Sequence, residues 1–239
     1  MSGSPGAMTA RAEVRGVLLD VGGVLLVPDP VTVSEVTGRH GGHGTTDRVI
    51  RAHYAAMAAA DDGVRFTWPV YYRHLAAGCA VPAGSLDAAA LALRAAYTAT
   101  NVWRTSLPGV RAALTRLAEL GYRIAIVSNS DGTVEKALAA ATVCQVGPGP
   151  GVEVDLVLDS HLVGAAKPDP AIFTLALEGL GLGPEQVVHI GDTRFADVAG
   201  ARAAGIRPLH VDPYGDCGQP AGHEHVRSLA DAVDRALTR

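Results

Sequence analysis

Five short apolar segments recur along the chain, and each ends in or next to a polar residue. Their length and their content of Val and Ile predict buried β-strands. Segments with helical patterns separate the later ones, and such an alternation predicts a parallel sheet with helices on both faces. The five segments are VRGVLLD (14–20), YRIAIVSN (122–129), VDLVLDS (154–160), QVVHIGD (186–192) and IRPLHVD (206–212).

Residues 30–105 interrupt this alternation. The interval is helical by composition and period and contains no convincing strand, so we expect a small all-helical cap domain inserted after the first strand. The α/β core domain would then consist of residues 13–29 and 106–239. Residues 1–12, rich in Gly, Ser and Ala, are expected to form a flexible tail.

The composition disfavours several classes of protein. Of the 239 residues 48% are hydrophobic, enough for a sizeable core, while a net charge of -4 without blocks of Lys or Arg predicts no nucleic-acid or membrane partner. The widely separated Cys79, Cys144 and Cys217 indicate neither a disulfide framework nor a zinc site, which fits a cytoplasmic location. We expect no signal peptide and no membrane-spanning segment. The oligomeric state stays open.

Polar residues stand at the ends of four of the predicted strands. The carboxyl ends of parallel strands form the ligand-binding edge of such a sheet, so these side chains are expected to converge. Converging carboxylates repel one another unless a cation lies among them, and oxygen ligands without a His/Cys cluster indicate Mg²⁺. The strand-end residues are Asp20, Ser128, Asn129, Asp159, Ser160, Gly191 and Asp192.

Two further residues belong to this pattern. Lys167 follows the third of these strands, and Asp197 comes five residues after Asp192. A lysine and a hydroxyl beside a metal would form a phosphate-binding site. Each residue alone has a structural alternative, because an Asp at a strand end commonly caps a helix and a Ser-Asn pair commonly forms a turn. The combination, in this order, favours a functional site.

These motifs resemble the haloacid dehalogenase-like (HAD) superfamily of hydrolases, in the subgroup with a helical cap after the first motif. The resemblance extends from Arg15 to about Asp212 and implies a Rossmann-like core. The motifs that carry it are LLDVGGVLL with Asp20, IVSNS with Ser128, KPDPAIF with Lys167, and HIGDTRFADVAGARAAG with Asp192 and Asp197.

The resemblance implies a Mg²⁺-dependent phosphatase that acts on a small phosphorylated metabolite, such as a sugar phosphate. Asp20 would attack the phosphorus and form an aspartyl-phosphate, which water then hydrolyses. The carboxylates of Asp20 and Asp192 and the backbone carbonyl of Gly22 would hold the metal. Asp197 would orient Lys167 or a metal-bound water.

The phosphoryl group would be bound by a second set of residues that the resemblance assigns. Lys167 and the Ser128 hydroxyl would contact its oxygens, and Lys167 would also offset the repulsion between the nucleophile and the phosphate. Asn129 and the backbone N–H groups near Gly22 and Gly23 would complete this substrate-binding set.

Gly22 departs from the family's usual pattern. Most phosphatases of the family have a second Asp at this position, which protonates the leaving oxygen and later activates water; such acid–base help is typically worth about 10²–10⁴-fold in rate. Three interpretations stay open. The leaving group needs little protonation, as in an anomeric sugar phosphate or an acyl phosphate; or another residue supplies the proton; or the chain is a non-catalytic phospho-ligand-binding or regulatory protein.

The first two interpretations are favoured over the third. The D-x-G-G-V variant resembles sugar-phosphate phosphatases, and a degenerate site would be expected to lose Lys167 or Asp192 as well. Phosphomutase activity is disfavoured because the mutases of the family rely on the missing Asp. A 2-haloacid dehalogenase needs no proton donor there, but dehalogenases resemble one another in an SSN-type fourth motif, whereas this chain has GDTRFAD.

The cap is expected to cover the site and to recognise the substrate. Four histidines are candidates for a substitute acid: His40, His43, His53 and His74. Four arginines are candidates for substrate contacts, although each of these cap histidines and arginines taken alone is more typical of a solvated surface: Arg39, Arg48, Arg65 and Arg73. Trp68, Tyr71 and Tyr72 are predicted in the cap core, and His189 and His210 as satisfied core histidines. The segment HEHVRS, which begins at His223, contains residue types found in metal sites, but its spacing and the lack of other ligands nearby favour a loop.

Overall fold

The computed structural model describes residues 13–218 and 222–237, so the predicted tail lies outside the described residues. A six-stranded parallel sheet forms its centre, and all five predicted strands belong to it. In spatial order the strands are β10 (Glu224–Val226), β9 (Arg207–Val211), β8 (Val187–Gly191), β1 (Gly16–Leu19), β4 (Arg123–Ser128) and β7 (Leu156–Asp159).

Strand β10 corrects the prediction of a loop after His223. It has three residues, with charged or aromatic side chains before Val226, and so lacks the apolar run that predicts a strand. It forms because it pairs with the edge of β9, a long-range interaction.

Helices cover both faces of the sheet. Alternate side chains of β1 point to opposite faces, so Val17 and Leu19 belong to one apolar cluster and Leu18 to another. The first face is covered by α5 (Val110–Glu119), α6 (Val134–Ala140) and α10 (Leu229–Leu237). The second is covered by α8 (Pro170–Leu180) and α9 (Gly200–Ala203). The core is therefore a Rossmann-like α/β sandwich.

The inserted segment contains four helices that share an apolar cluster of their own. They are α1 (Pro30–Gly38), α2 (Thr46–Ala60), α3 (Trp68–Gly78) and α4 (Leu86–Ala99). Tyr71, Leu75 and Leu93 are among its buried side chains. This cluster is separate from the two clusters of the sheet, as expected for a cap with its own core.

Two linkers join the cap helices to the sheet, and they pair with each other. Strand β2 (Leu26–Pro28) precedes α1, and β3 (Trp103–Ser106) follows α4; the two form an antiparallel ribbon. Strand β3 begins inside the interval in which the sequence predicts no strand. Its side chains alternate between half-buried and exposed without an apolar run, so its pairing with β2 decides its conformation.

The remaining short elements connect these layers. They are β5 (Cys144–Val146), β6 (Val152–Val154) and α7 (Ser160–Val163), together with a π-helical segment at Arg194–Ala199 and 3₁₀ turns at Ala83–Ser85 and Pro184–Gln186. None of the helices in the described ranges has both the length and the apolar character that crossing a membrane requires.

Candidate active site

Acidic side chains from three places in the chain converge at the carboxyl end of the sheet. Asp20 directly follows β1, which lies between β4 and β8, and Asp192 directly follows β8. Asp197 lies on the π-helical segment after β8. One carboxylate oxygen from each of the three lies within 4.8 Å of the others. The convergence expected from the strand ends is therefore present for these acids.

Lys167 is the cation of this group. It is buried, and its Nζ lies 2.7 Å from Asp20 Oδ1 and 2.7 Å from Asp197 Oδ1. Burial alone would lower the pKa of Lys167, but the charges of Asp197 and Asp20 outweigh it and raise the pKa above its ordinary value. Lys167 therefore carries a positive charge beside the Asp20 carboxylate.

Asn129 positions Lys167 through the backbone. Its side-chain amide donates to the Lys167 carbonyl at 2.8 Å and accepts from the Lys167 N–H at 2.8 Å. Asn129 lines the cavity described below, but this pair of bonds occupies its amide. Its predicted contact with substrate stays a prediction, and its observed role is to fix the loop that carries the lysine.

Asp197 accepts hydrogen bonds on both carboxylate oxygens. His189 Nε2 donates to Oδ1 at 2.9 Å, next to the Lys167 ammonium, while the backbone N–H and the hydroxyl of Thr193 donate to Oδ2 at 3.0 and 2.5 Å. Burial by itself raises the pKa of Asp197, yet Lys167 and His189 lower it overall. Asp197 thus stays ionised and holds the lysine in place.

His189 therefore belongs to the site as well as to the core. It is fully buried in β8, as predicted, but its Nδ1 has no hydrogen-bond partner in the described ranges. A strand histidine gives no sequence signal for a contact with an acid eight residues later, because the π-helical geometry brings Asp197 back over the strand end.

Asp192 lacks the partners that a buried carboxylate needs. Both of its oxygens are buried, and neither has a hydrogen-bond partner among the described residues. Burial and the neighbouring charges of Asp20 and Asp197 raise its pKa well above the ordinary value. A divalent cation between Asp192 and Asp20 would satisfy these oxygens and relieve the repulsion, so the donor set fits Mg²⁺, which prefers hard oxygen ligands.

Gly23 leaves room for Asp192. Its φ is +64°, and a Cβ atom there would lie 2.1 Å from Asp192 Oδ2. Its N–H donates to the Leu26 carbonyl at 2.9 Å. The tight turn after β1 thus uses the Gly23 N–H, and the contact of backbone N–H groups near Gly22 and Gly23 with a phosphate stays a prediction.

The missing acid at Gly22 has a steric counterpart. A Cβ atom at Gly22 would lie 3.2 Å from Cζ3 of Trp103, so the indole ring covers the position from which a longer side chain would extend. Trp103 lies on β3 and gave no sequence signal of a role in the site, because nothing in the chain predicts that this linker reaches the β1 turn.

Of the four candidate cap histidines, His53 lies nearest to the acids. Its Nε2 is 3.8 Å from Asp192 Oδ2, beyond hydrogen-bonding distance, and its Nδ1 is 3.0 Å from the Tyr71 hydroxyl. Burial lowers the pKa of His53 to about 3, so the ring is neutral. His40, His43 and His74 are half-buried or exposed and are not among the residues that line the cavity.

A cavity of about 590 Å³ lies between the cap and these residues. Asp20, Ser128, Lys167 and Asp192 line it on the core side. On the opposite side it is lined by one of the predicted arginines, Arg65, and by the aromatic side chains Phe66, Trp68, Tyr72, Tyr97 and Trp103. The cap therefore encloses the acids beneath an aromatic wall.

The structure corrects the placement of Trp68. The side chain was predicted in the cap core, but it is 45% exposed and stacks on Tyr72 at the cavity wall, with ring centroids 5.7 Å apart. Tyr71 is fully buried in the cap core, as predicted. Helical periodicity marks Trp68, Tyr71 and Tyr72 equally as apolar positions. The pattern therefore does not distinguish a side chain in the cap core from one that lines a cavity.

Asp159 takes the structural role that is common for a strand-end acid. Its carboxylate accepts backbone N–H bonds from Gly132, Val134 and His161, the last at 3.0 Å. It thus stabilises the loop after β4 and the start of α7. The neighbouring Ser160 lines the cavity.

Curated proteins similar to this chain include phosphatases. It is 37% identical over 150 residues to the ribulose-1,5-bisphosphate 5-phosphatase of Halopiger xanaduensis, a match that covers 62% of this chain and 56% of the relative. It is 35% identical over 105 residues to the phosphoserine phosphatase of Thermus thermophilus, covering 44% of this chain and 40% of the relative. The chain thus spans about half the length of these relatives.

Solved structures share the fold at low sequence identity. A HAD phosphatase from Thermococcus onnurineus superposes with a TM-score of 0.56 at 20% identity, covering 93% of this chain and 97% of that chain. A 2-haloacid dehalogenase from Pseudomonas syringae superposes with a TM-score of 0.53 at 16% identity, covering 94% and 98%. The family model of haloacid dehalogenase-like hydrolases matches residues 14–205, most of the chain, and the protein therefore belongs to that family.

Proposed function

We propose that this protein is a Mg²⁺-dependent phosphatase that hydrolyses phosphomonoesters of small metabolites through an aspartyl-phosphate at Asp20. The observation that carries the proposal is the arrangement around Asp20. Its carboxylate is ion-paired with the buried Lys167 at 2.7 Å and lies beside Asp192, whose buried oxygens have no hydrogen-bond partner in the described part of the chain. Such a site suits an anionic substrate together with a cation.

In the first step, an oxygen of Asp20 attacks the phosphorus, and the bond from phosphorus to the ester oxygen breaks. Lys167 and the Ser128 hydroxyl would hold the phosphoryl oxygens as charge redistributes. In the second step, water attacks the phosphorus, the bond to Asp20 breaks, and phosphate is released. Mg²⁺ bound by Asp20 and Asp192 would offset the repulsion between the carboxylate and the phosphoryl group.

The cavity supports a substrate of metabolite size. Its volume of about 590 Å³ lies within the range of about 300–1,000 Å³ that is usual for small-molecule sites. Trp68 and Tyr72 offer aromatic faces for a sugar ring, and Arg65 offers a positive charge for a second anionic group. The relatives have names that point to different substrates, so none of those substrates is carried over to this chain.

The glycine at position 22 supports a substrate whose leaving group departs without a strong acid. Anomeric sugar phosphates and acyl phosphates meet that condition better than primary alkyl phosphates do. The cytoplasmic location belongs to the same proposal, since Cys79, Cys144 and Cys217 form no disulfide in the described ranges, as is usual in a reducing compartment.

The proposal is tested with p-nitrophenyl phosphate and a panel of phosphorylated metabolites, with and without Mg²⁺. We expect turnover that EDTA abolishes and Mg²⁺ restores, and Asp20→Asn should retain at most a few per cent of the rate. Full activity in EDTA would disprove the metal requirement. Tight binding of a phosphometabolite without any turnover would show a non-catalytic binding protein, and chloride release from a 2-haloacid would show a dehalogenase.

A further inference from the structure

Three histidines and a cysteine lie together beside the active site, outside the residues of the proposed reaction. His210 on β9 and His225 on β10 are direct partners in the parallel ladder. Cys217 and His223 lie in the segment that connects these two strands. One nitrogen or sulfur atom from each of the four side chains lies within 4.8 Å of the others. The fold thus collects four potential metal ligands that are dispersed in the sequence.

The hydrogen bonds of His210 and His225 each use one ring nitrogen as the donor, which leaves the other nitrogen of each ring with a lone pair. His210 Nε2–H donates to the Asp192 carbonyl at 3.0 Å, and its Nδ1 lies 2.8 Å from His223 Nε2. His225 Nδ1–H donates to the Asp212 carboxylate at 3.1 Å, and its Nε2 is buried with no hydrogen-bond partner in the described ranges. Metal-ligating histidines usually have one ring nitrogen held by a carbonyl or carboxylate in this way.

Two distances within the group bracket the spacing expected around a tetrahedral ion. Bonds of about 2.1 Å to nitrogen and about 2.3 Å to sulfur separate neighbouring ligand atoms by about 3.5 Å. Cys217 Sγ lies 3.8 Å from His223 Nε2, and the 2.8 Å pair is slightly shorter than that value. A hydrogen bond between the His210 and His223 rings would explain the short pair, but it would leave the buried His225 Nε2 unsatisfied.

We propose that these four side chains bind one Zn²⁺ ion in a tetrahedral site. The zinc cluster consists of His210, Cys217, His223 and His225. Nitrogen and thiolate ligands favour Zn²⁺ over Mg²⁺, so the cluster is chemically distinct from the oxygen site at Asp20 and Asp192. Four protein ligands are typical of a structural zinc site rather than a catalytic one.

A zinc ion there would stabilise the contact between cap and core. The segment that supplies Cys217 also carries Asp216, which is ion-paired with Arg51 on α2. His210 holds the backbone carbonyl of Asp192 at the active site. The zinc cluster would therefore hold in place the loop that contacts the cap through Asp216. Through His210 it would also hold the strand end that carries Asp192.

The experiment uses the full-length protein, freed of metal with a chelator and titrated with Co²⁺ as a spectroscopic substitute for Zn²⁺. We expect one equivalent of Co²⁺ to give the visible bands of tetrahedral cobalt and a near-ultraviolet sulfur-to-cobalt charge-transfer band, both removed by Zn²⁺ but not by Mg²⁺. Cys217→Ser should lose the charge-transfer band. Asp212→Asn, which leaves all four ligands in place, should bind Zn²⁺ about 10–100-fold more weakly.

Two control variants separate the zinc cluster from the active site. His43→Ala removes an exposed cap histidine, and Asp20→Asn removes the proposed nucleophile; both should keep the charge-transfer band at full intensity. Circular dichroism shows whether each variant is folded. If the wild-type protein gives no charge-transfer band, or if folded Cys217→Ser gives the same band, the zinc cluster is not a metal site. Neither result depends on phosphatase activity.

Discussion

The candidate active site has an indole ring near the position where the family pattern would place a carboxylate. Gly22 faces Trp103, and the 3.2 Å that separates a Cβ atom at Gly22 from the ring is shorter than an ordinary contact between carbon atoms. An Asp at this position would require the Trp103 ring to move by a few tenths of an ångström. The missing acid at Gly22 and the tryptophan at position 103 therefore belong to one arrangement. A motif search detects the missing acid but not the tryptophan.

This arrangement predicts that Gly22→Asp alone hardly changes how the rate depends on the pKa of the leaving group. The Trp103 ring occupies the space that the new carboxylate needs, so this dependence should remain steep in the single variant. It should flatten in the double variant Gly22→Asp with Trp103→Ala. Rates over a series of aryl and alkyl phosphates measure this slope, with Trp103→Ala as the control. A flat slope in Gly22→Asp alone would show that Trp103 does not exclude the acid.

A second prediction at the residue scale concerns Gly23→Ala. The added methyl group would overlap Asp192 Oδ2 at 2.1 Å, and the positive φ adds backbone strain. A displacement of about 1 Å at a reacting centre can cost about 10²-fold in rate, so we expect a loss of that size at saturating Mg²⁺. Gly38→Ala is the matched control, since no described atom lies within 4 Å of its added Cβ. Equal rates for both variants would contradict the need for Asp192 in its observed position.

At the scale of elements, the two linkers of the cap are fastened at the start of α1. The Asp29 carboxylate caps the helix by accepting from the Thr32 N–H at 3.2 Å, and it is ion-paired with Arg104 on β3 at 2.6 Å. Burial raises the pKa of Asp29, but the bonds from Thr32 and Arg104 outweigh it and lower the pKa to about 2. One acid therefore joins the first linker to the second.

Asp29→Ala should lower the free energy of unfolding by about 1 kcal/mol at pH 7, the usual cost of losing an N-cap. The pKa of Asp29 is lower in the folded state than its ordinary value of 3.8, so its stabilisation is fully present above pH 3.8 and is lost as the pH falls towards 2. Urea denaturation of wild type and variant at several pH values between 3 and 7 measures the difference.

Thr45→Ala provides the matched control for this pH dependence. The Thr45 hydroxyl caps α2 by accepting from the Arg48 N–H, and it does not titrate in this range. Its substitution should cost a similar free energy at every pH. If the effect of Asp29→Ala is as large at pH 3 as at pH 7, the ionised carboxylate is not the source of the stabilisation.

At the scale of the whole molecule, the cap binds directly to the segment that carries Asp197. The carboxylate of Asp61, at the end of α2, accepts from the backbone N–H groups of Arg194 and Phe195. About two turns earlier along α2, the Tyr54 hydroxyl donates to the Gly23 carbonyl at 2.7 Å. The position of the cap and the geometry of the acids are therefore coupled through backbone groups.

Asp61→Ala should release this coupling. A hydrogen bond to a charged group contributes about 1.5–3 kcal/mol, so amide hydrogen exchange at Arg194 and Phe195 should accelerate by at least about tenfold. Asp62→Ala is the control, because the Asp62 carboxylate accepts from Val64 and Arg65 within its own turn. Unchanged exchange in Asp61→Ala would show that Asp61 does not hold the cap against the core.

The sequence by itself determined five strands of the sheet and the order of its acids. Buried strands of a parallel sheet are short apolar runs, and such runs are visible without any knowledge of the partner strand. The same runs place Asp20 and Asp192 at strand ends, where the topology brings them together. For these residues, local pattern and tertiary structure agree because the carboxyl ends of neighbouring parallel strands lie at the same edge of the sheet.

Tertiary structure alone decided the features that depend on distant partners. Trp103 covers Gly22, Trp68 faces the cavity rather than the cap core, and β10 pairs with β9, although none of these segments has a pattern that predicts it. The four side chains of the zinc cluster likewise lack the close spacing of a metal motif. They meet because His210 and His225 are neighbours across a strand pair, and strand pairing is a long-range contact that no local sequence period encodes.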